Sequence, residues 1–391
     1  MTDALARPAA PRYGEASVAD LLPDLLDTLT AVGGRRLVPL PDTTRAVIVL
    51  VVDGLGRRNL DDHLDLAPTL AGAAGPTLDA PFPTTTATSL SCIGTGLAPG
   101  EHGITGYSFA VPGDDRPLIS LTWSWERQLG GDDAREDVPP ESIQTGPTAF
   151  DRARDAGVRP VTVLRPEFAT SGLTRAGLRG GDIVTATELQ PSLDAAIAEL
   201  TAADRSLVYV HHGDLDTIGH LTGPGSDRWC DELARIDRVL ADVRLRLPQD
   251  TALVVTADHG MVHVPPENFV ELADHPTLLA GVRVLTGDGR ARQLHTQPGA
   301  RDDVLAAWRD HVGDRGHVLT REDAIAAGWF GPIRDEAVRA TIGDVLVVAD
   351  SDVAWVHRDA DLFGGRLAGL HAGLTRREVE VPALVLTGRP S

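Results

Sequence analysis

Five short, nearly continuous apolar runs constrain the fold of this chain more than any other feature. They are AVIVLVVDG (46–54), VTVL (161–164), SLVYVHH (206–212), TALVVTADHG (251–260) and DVLVVAD (344–350). Rich in Val and lacking polar–apolar alternation, such runs read as strands buried on both faces. Helical patterns lie between them, in PSLDAAIAEL (191–200) and WCDELARIDRVLADVRLRL (229–247). Earlier, Leu21, Leu22, Leu25, Leu26 and Leu29 have the spacing of one helix face within 17–31. Alternating β and α of this kind predicts an α/β fold, a mostly parallel sheet between two helix layers. At 391 residues the chain has room for one large domain with an insertion, or for two domains.

Residues 263–340 read differently. GVRVLTGDGRARQL (281–294) predicts a hairpin turned at Gly287-Asp288-Gly289, and RDDVLAAWRDHVG (301–313) an amphipathic helix. The expected organisation is a core of 1–262 and 341–391 with a small inserted α+β cap over 263–340. DVLVVAD would then return to the core sheet. The Gly-, Pro- and acid-rich segment 109–150 reads as a surface excursion.

Three of the runs continue into acidic and imidazole residues. Asp53 follows in VVDGLG, Asp258 and His259 in TADHGM, and His211, Asp214, Asp216 and His220 in HHGDLDTIGH. In a parallel sheet the C-terminal strand ends line the crevice where ligands bind. Carboxylates gathered there repel one another, and a divalent cation would neutralise them. A lone Asp in such a turn is more often a cap, and Asp216 with His220 four residues on arises readily by chance. Four such elements on successive strand ends make a metal site the better reading.

Charge excludes several partners. A net charge of −20 argues against a nucleic-acid polymer or an anionic membrane as a main partner. Two cysteines, Cys92 and Cys230, cannot make a disulfide framework or a cysteine-rich zinc site. With no signal-type apolar segment at its start and no membrane-length apolar run, the chain is expected to be cytoplasmic.

Read together and in order, VIVLVVDGLG, FPTTTATSLSCIGTGLAPGEHGI, DLDTIGHLTGPG, TADHGM and GLHAGLT resemble the alkaline phosphatase superfamily. Within it, they resemble the nucleotide pyrophosphatase/phosphodiesterase branch. The resemblance spans residues 47–375 and implies a three-layer α/β/α core. It also implies two zinc ions, with manganese an alternative suited to the same ligand types. One ion would be held by Asp53, Asp258, His259 and a nucleophile hydroxyl, the other by Asp216, His220 and His371. His295 in RQLHTQPG competes with His371 but falls in the expected cap.

Thr84, Thr85, Thr86 and Thr88 all compete as the nucleophile. The family motif sets it nine positions before Thr95-Gly96-Leu97 and sixteen before His102-Gly103, and both counts reach Thr86, with Thr85 as fallback. A helix expected over 86–94 would add N-terminal amides for an anion. Where the branch commonly has an Asn that contacts a phosphoryl oxygen, this chain has Tyr107, a candidate substrate-binding residue. The usual aromatic after the nucleophile is replaced by Ala87. Trp123 and Trp125 read as strand packing in preference to a substrate wall. The implied activity is di-metal hydrolysis of a small phosphodiester or phosphoanhydride, nucleotide-like, through a covalent phospho-threonine. The alternatives are a phosphomonoesterase or phosphonate hydrolase with the same site, or a phospho-ligand binding protein without turnover. Nothing in the residues fixes the leaving group or the oligomeric state.

Overall fold

The computed structural model describes residues 8–33, 36–127, 130–200, 203–361 and 365–388. Seven strands form its main sheet, in the spatial order Thr77–Asp79, Glu380–Thr387, Thr251–Thr256, Ala46–Val52, Ser206–His212, Arg159–Leu164 and Asp182–Thr185. The last five are parallel; Glu380–Thr387 and Thr77–Asp79 add an antiparallel flank. Every residue of Ala46–Val52 and Thr251–Thr256 is buried, as their unbroken apolar sequence requires.

Helices cover the sheet in two layers. Leu189–Glu199 packs with Asp227–Arg246, while Thr86–Thr95 packs with Ala149–Asp155 and Leu21–Thr30. The long helix illustrates the pattern. Ser226 caps it by accepting from the Trp229 amide, and Trp229, Leu233, Ile236, Leu240 and Val243 form its buried stripe at helical spacing. Among the described residues no helix is long and apolar enough to cross a membrane.

A second, four-stranded antiparallel sheet has the order Val282–Asp288, Ala291–Thr296, Val345–Ala349, Gly316–Thr320. This corrects two expectations. The hairpin turns at Gly289-Arg290, because Asp288 pairs with Ala291. The run at 344–350 does not return to the parallel sheet, and the second sheet therefore extends past the expected cap boundary at 340. Its unbroken apolar character has another cause. Val345, Val347 and Ala349 pack with Trp308 in one cluster, while Leu346 and Val348 pack with Phe82, Trp329 and Phe330 in another. A strand between two small cores is buried on both faces, and periodicity cannot distinguish it from a central parallel strand.

The segment expected as a surface excursion carries a three-stranded sheet, Ser108–Ala110, Pro117–Ile119 and Ser124–Trp125. Trp123 is fully buried there, its indole donating to the Val138 carbonyl, and Trp125 donates to Asp137.

Candidate active site

Register brings the acidic strand ends together. Val52 lies opposite His212 and Val51 opposite Thr256, so Asp53, Asp258 and the start of the helix Asp214–Thr222 emerge at one edge. The motif glycines let these loops touch. Gly54 has φ +75°, and a Cβ there would come 3.1 Å from Asp216 Cα; one on Gly56 would come 2.6 Å from Gly260 Cα.

Two groups of metal-ligating side chains result, Asp53, Asp258 and His259, and Asp216, His220 and His371. In the first, His259 Nε2 lies 3.5 Å from Asp53 Oδ1 and 3.3 Å from Asp258 Oδ2. In the second, His220 Nε2 lies 3.3 Å from Asp216 Oδ2 and 3.3 Å from His371 Nε2. The rings of His259 and His371 stack at 3.6 Å and join the groups. His371 arrives from far along the chain because Val262–His263 pairs with Gly369–Leu370 just after the TADHG turn.

Hydrogen bonds fix the imidazole tautomers. Nδ1 of His220, His371 and His259 faces the carbonyls of Gly369, Thr84 and Gly260 at 2.8, 2.8 and 3.1 Å. A carbonyl only accepts, so each Nδ1 carries a proton and Nε2 is the atom a neutral ring offers to the cluster. Burial lowers the pKa of His371 further, aided by His259 and His220, and keeps it neutral.

The carboxylates are equally short of partners. Asp53 Oδ1, Asp216 Oδ1 and Asp258 Oδ2 are buried without a hydrogen-bond partner. Burial, then the charges of Asp258 and Asp216, pushes the Asp53 carboxyl well up. Orphaned oxygens and bare imidazole nitrogens converging at 3–4 Å are the donor set that Zn²⁺ or Mn²⁺ takes, and both groups fit such a cation.

The hydroxyls of residues 84–91 separate cleanly. From Leu78 to Thr95, Thr86 alone is not fully buried. Its Oγ1 lies 3.2 Å from His259 Nε2 at the start of the helix Thr86–Thr95, whose amino end has no side-chain cap. Thr84 is a latch: its hydroxyl donates to the Gly373 carbonyl and accepts from the Ala372 amide. Thr85 donates to Thr88, and Ser91 to the Ala87 carbonyl. Phe82 anchors the turn from behind, against Trp329 and Phe330 at 4.9 and 5.2 Å.

A cavity of about 390 Å³ opens onto Thr86, and Tyr107 lines it with Asp53, Asp216, His220 and His371. Burial pushes the Tyr107 phenol up, so it stays a hydrogen-bond donor. His295 lies elsewhere, on the strand Ala291–Thr296 of the second sheet. His211, named at its strand end in the sequence but given no place in either ligand set, has its Nε2 3.2 Å from Asp53 Oδ2. Strand alternation carried the signal. His211 pairs with Val51, two residues before Asp53, whereas His212 turns the other way to Glu232. His212, Asp214 and Glu232 form a third titratable group, already neutralised by Arg165 on Asp214 and Arg235 on Glu232.

A sequence profile of the type I phosphodiesterase / nucleotide pyrophosphatase family matches residues 47–371. Ectonucleotide pyrophosphatase/phosphodiesterase family member 7 of Rattus norvegicus is 32% identical over 146 residues, 35% of this chain and 33% of the relative. A phosphopentomutase of Caldanaerobacter subterraneus is 28% identical over 118 residues, 29% of this chain and 28% of that protein. The chain thus spans about a third of the length of the curated relatives it matches. Among solved structures, an inactive murine ectonucleotide pyrophosphatase / phosphodiesterase 5 in complex with AMP superposes with TM-score 0.63 at 17% identity. That match covers 88% of this chain and 87% of the other. Phosphonoacetate hydrolase from Sinorhizobium meliloti, in complex with phosphonoformate, superposes with TM-score 0.63 at 21% identity, covering 92% and 93%. Both share the mixed α/β fold with its large, mostly parallel sheet.

Proposed function

The chain belongs to the type I phosphodiesterase / nucleotide pyrophosphatase family, and we propose that it is a metal-dependent hydrolase of small phosphodiesters or phosphoanhydrides. The observation that carries this reading is the Thr86 hydroxyl, held 3.2 Å from His259 Nε2 beside two sets of unpartnered ligand atoms. Asp53, Asp258 and His259, with the Thr86 oxygen, would hold one zinc ion; Asp216, His220 and His371 would hold the other. Bound cations supply a lowered pKa for hydroxyl and water, and offset charge on the attacking and leaving oxygens.

The chain's own residues do the rest. Thr86 Oγ1 loses its proton to solvent and attacks phosphorus, its O–P bond forms as the ester or anhydride O–P bond breaks, and the leaving oxygen departs and takes up a proton from solvent. Water then cleaves the phospho-threonine and returns the hydroxyl. First-turn amides of the helix Thr86–Thr95 bind the non-bridging oxygens, since no side chain caps them. Tyr107 donates its phenolic proton to one of those oxygens. The fixed tautomers of His220, His259 and His371 keep the ligand nitrogens aimed without reorganisation.

Tyr107 in place of the branch's Asn supports a second reading, a monoesterase or phosphonate hydrolase with the same nucleophile. Zinc- or manganese-loaded protein assayed on bis-p-nitrophenyl phosphate and p-nitrophenyl phosphate separates the two. Diester preference supports the first and monoester preference the second. Turnover of neither, with metal bound, indicates a phospho-ligand binding protein.

A further inference from the structure

The cavity in front of Thr86 is lined mostly by apolar surface. Leu90, one helical turn from Thr86 and therefore on its face of the helix, begins the wall. Leu164, Leu173, Leu178 and Phe168 continue it, and Leu221 stands beside His220 at the helix Asp214–Thr222. Phe168 and Leu221 are 42% and 55% exposed. Large apolar side chains left exposed beside a concave site mark a surface that an apolar ligand covers.

The polar lining points the same way. Thr122 bonds Ser124, Ser171 bonds Thr174 and caps its helix, and Thr217 donates to the Gly213 carbonyl. These hydroxyls are engaged within the protein and are poorly placed to read the edge of a nucleobase. Among the described lining residues Arg165 is the one guanidinium, and it is bound to Asp214. Asp288 and Asp361 stand on the same lining. Asp361 is already paired with Arg292, so a substrate with further phosphates would meet the Asp288 carboxyl and no free guanidinium on this lining. Ala87, small and on the lining, leaves the apolar wall open beside the nucleophile.

We propose that the organic group of the substrate is an alkyl chain seated against Leu90, Leu164, Leu173, Leu178 and Phe168, so that the preferred substrate is a singly charged alkyl phosphodiester. This rests on the same cavity being the substrate site. Phe168 and the leucines set specificity.

Calorimetric titration of the zinc-loaded chain with methyl-, butyl- and octylphosphonate, and with AMP, tests the wall by binding alone. Affinity is expected to rise roughly fourfold for each added methylene until the wall is filled, with octylphosphonate binding tighter than AMP. Phe168→Ser, at an exposed position that leaves the core intact, should lower the octyl-to-methyl affinity ratio severalfold. Affinity independent of chain length, AMP binding tighter than octylphosphonate, or an unchanged ratio in Phe168→Ser overturns the proposal. Turnover of bis-p-nitrophenyl phosphate by the same preparation reports separately on hydrolysis. Chain-length dependence without turnover keeps the alkyl site and removes the hydrolase reading; turnover with no chain-length dependence does the reverse.

Discussion

Nε2 of His371 lies 3.3 Å from Nε2 of His220, and each ring turns its Nδ1 to a backbone carbonyl. Two ligand nitrogens are thus crowded together, and the carboxylates of Asp53, Asp216 and Asp258 around them repel one another. The fold tolerates this because packing and backbone carbonyls hold the rings from behind. A cation between them converts the repulsion into coordination.

Metal removal should therefore cost stability as well as activity. At a hundredfold excess over Kd, each bound ion is expected to add about 2.7 kcal/mol. Chelation should lower the melting temperature, and stepwise zinc titration should restore it with about two equivalents per chain. Saturation at one equivalent, or a melting temperature indifferent to chelation, would contradict the paired site.

Thr86→Ala should reduce turnover by more than roughly a thousandfold while most metal stays bound, because the hydroxyl is one ligand among several. Thr85→Ala, whose hydroxyl is committed to Thr88, should keep most activity and lose about 1 kcal/mol of stability. Rates on bis-p-nitrophenyl phosphate and metal content by mass spectrometry decide between them.

Arg290 and Glu378 form an ion pair with both side chains fully buried. Glu378 also accepts from the Gly373 amide, close behind His371, and from the Thr375 hydroxyl. Removing either partner alone strands a buried charge and should cost about 3–5 kcal/mol. Replacing both with apolar residues, as Arg290→Met with Glu378→Leu, should cost less than the worse single change. Urea unfolding of the three variants measures this. Zinc affinity should fall in each, because the His371 loop loses an anchor.

Acid sensitivity should come partly from a histidine outside both ligand groups. Burial lowers His102 to about 3, with Arg334 contributing, and its ring bonds Cys92 and the Ile104 amide. In the unfolded chain it titrates near ~6.5. Its folded pKa is depressed, so the unfolded state binds the extra proton and stability falls as pH drops below about 6.5. The wild type should lose about 1.4 kcal/mol per pH unit more than His102→Asn between roughly pH 6 and 4. Urea midpoints across that range give the two slopes, and parallel slopes would contradict the assignment.

Much of the fold was readable because a parallel sheet writes itself as apolar runs, and the runs at 46–52, 206–212 and 251–256 are adjacent strands. The run at 345–349 misled for a physical reason: two small cores, one built on Trp308 and one on Phe82, bury its alternate faces. Asp53 and Asp258 announced themselves as carboxylates at strand ends. His371 could be placed only by resemblance, since the ribbon that delivers it pairs just two residues on each side. Phe168 and Arg165 gave no signal, because a short 3₁₀ turn over Pro166–Phe168 has no periodicity to read.

Thr84 holds His371 Nδ1 with its carbonyl and the following Ala372 and Gly373 with its hydroxyl, across separations of 287 to 289 residues. That latch sets a timetable for synthesis. The nucleophile turn leaves the ribosome 287 residues ahead of the histidine it binds. Until then the Phe82 turn lacks Ala372 and Leu374 from its core. A nascent chain therefore carries an open nucleophile turn until residues 371–374 emerge, and the two ligand groups would be joined in one late closure.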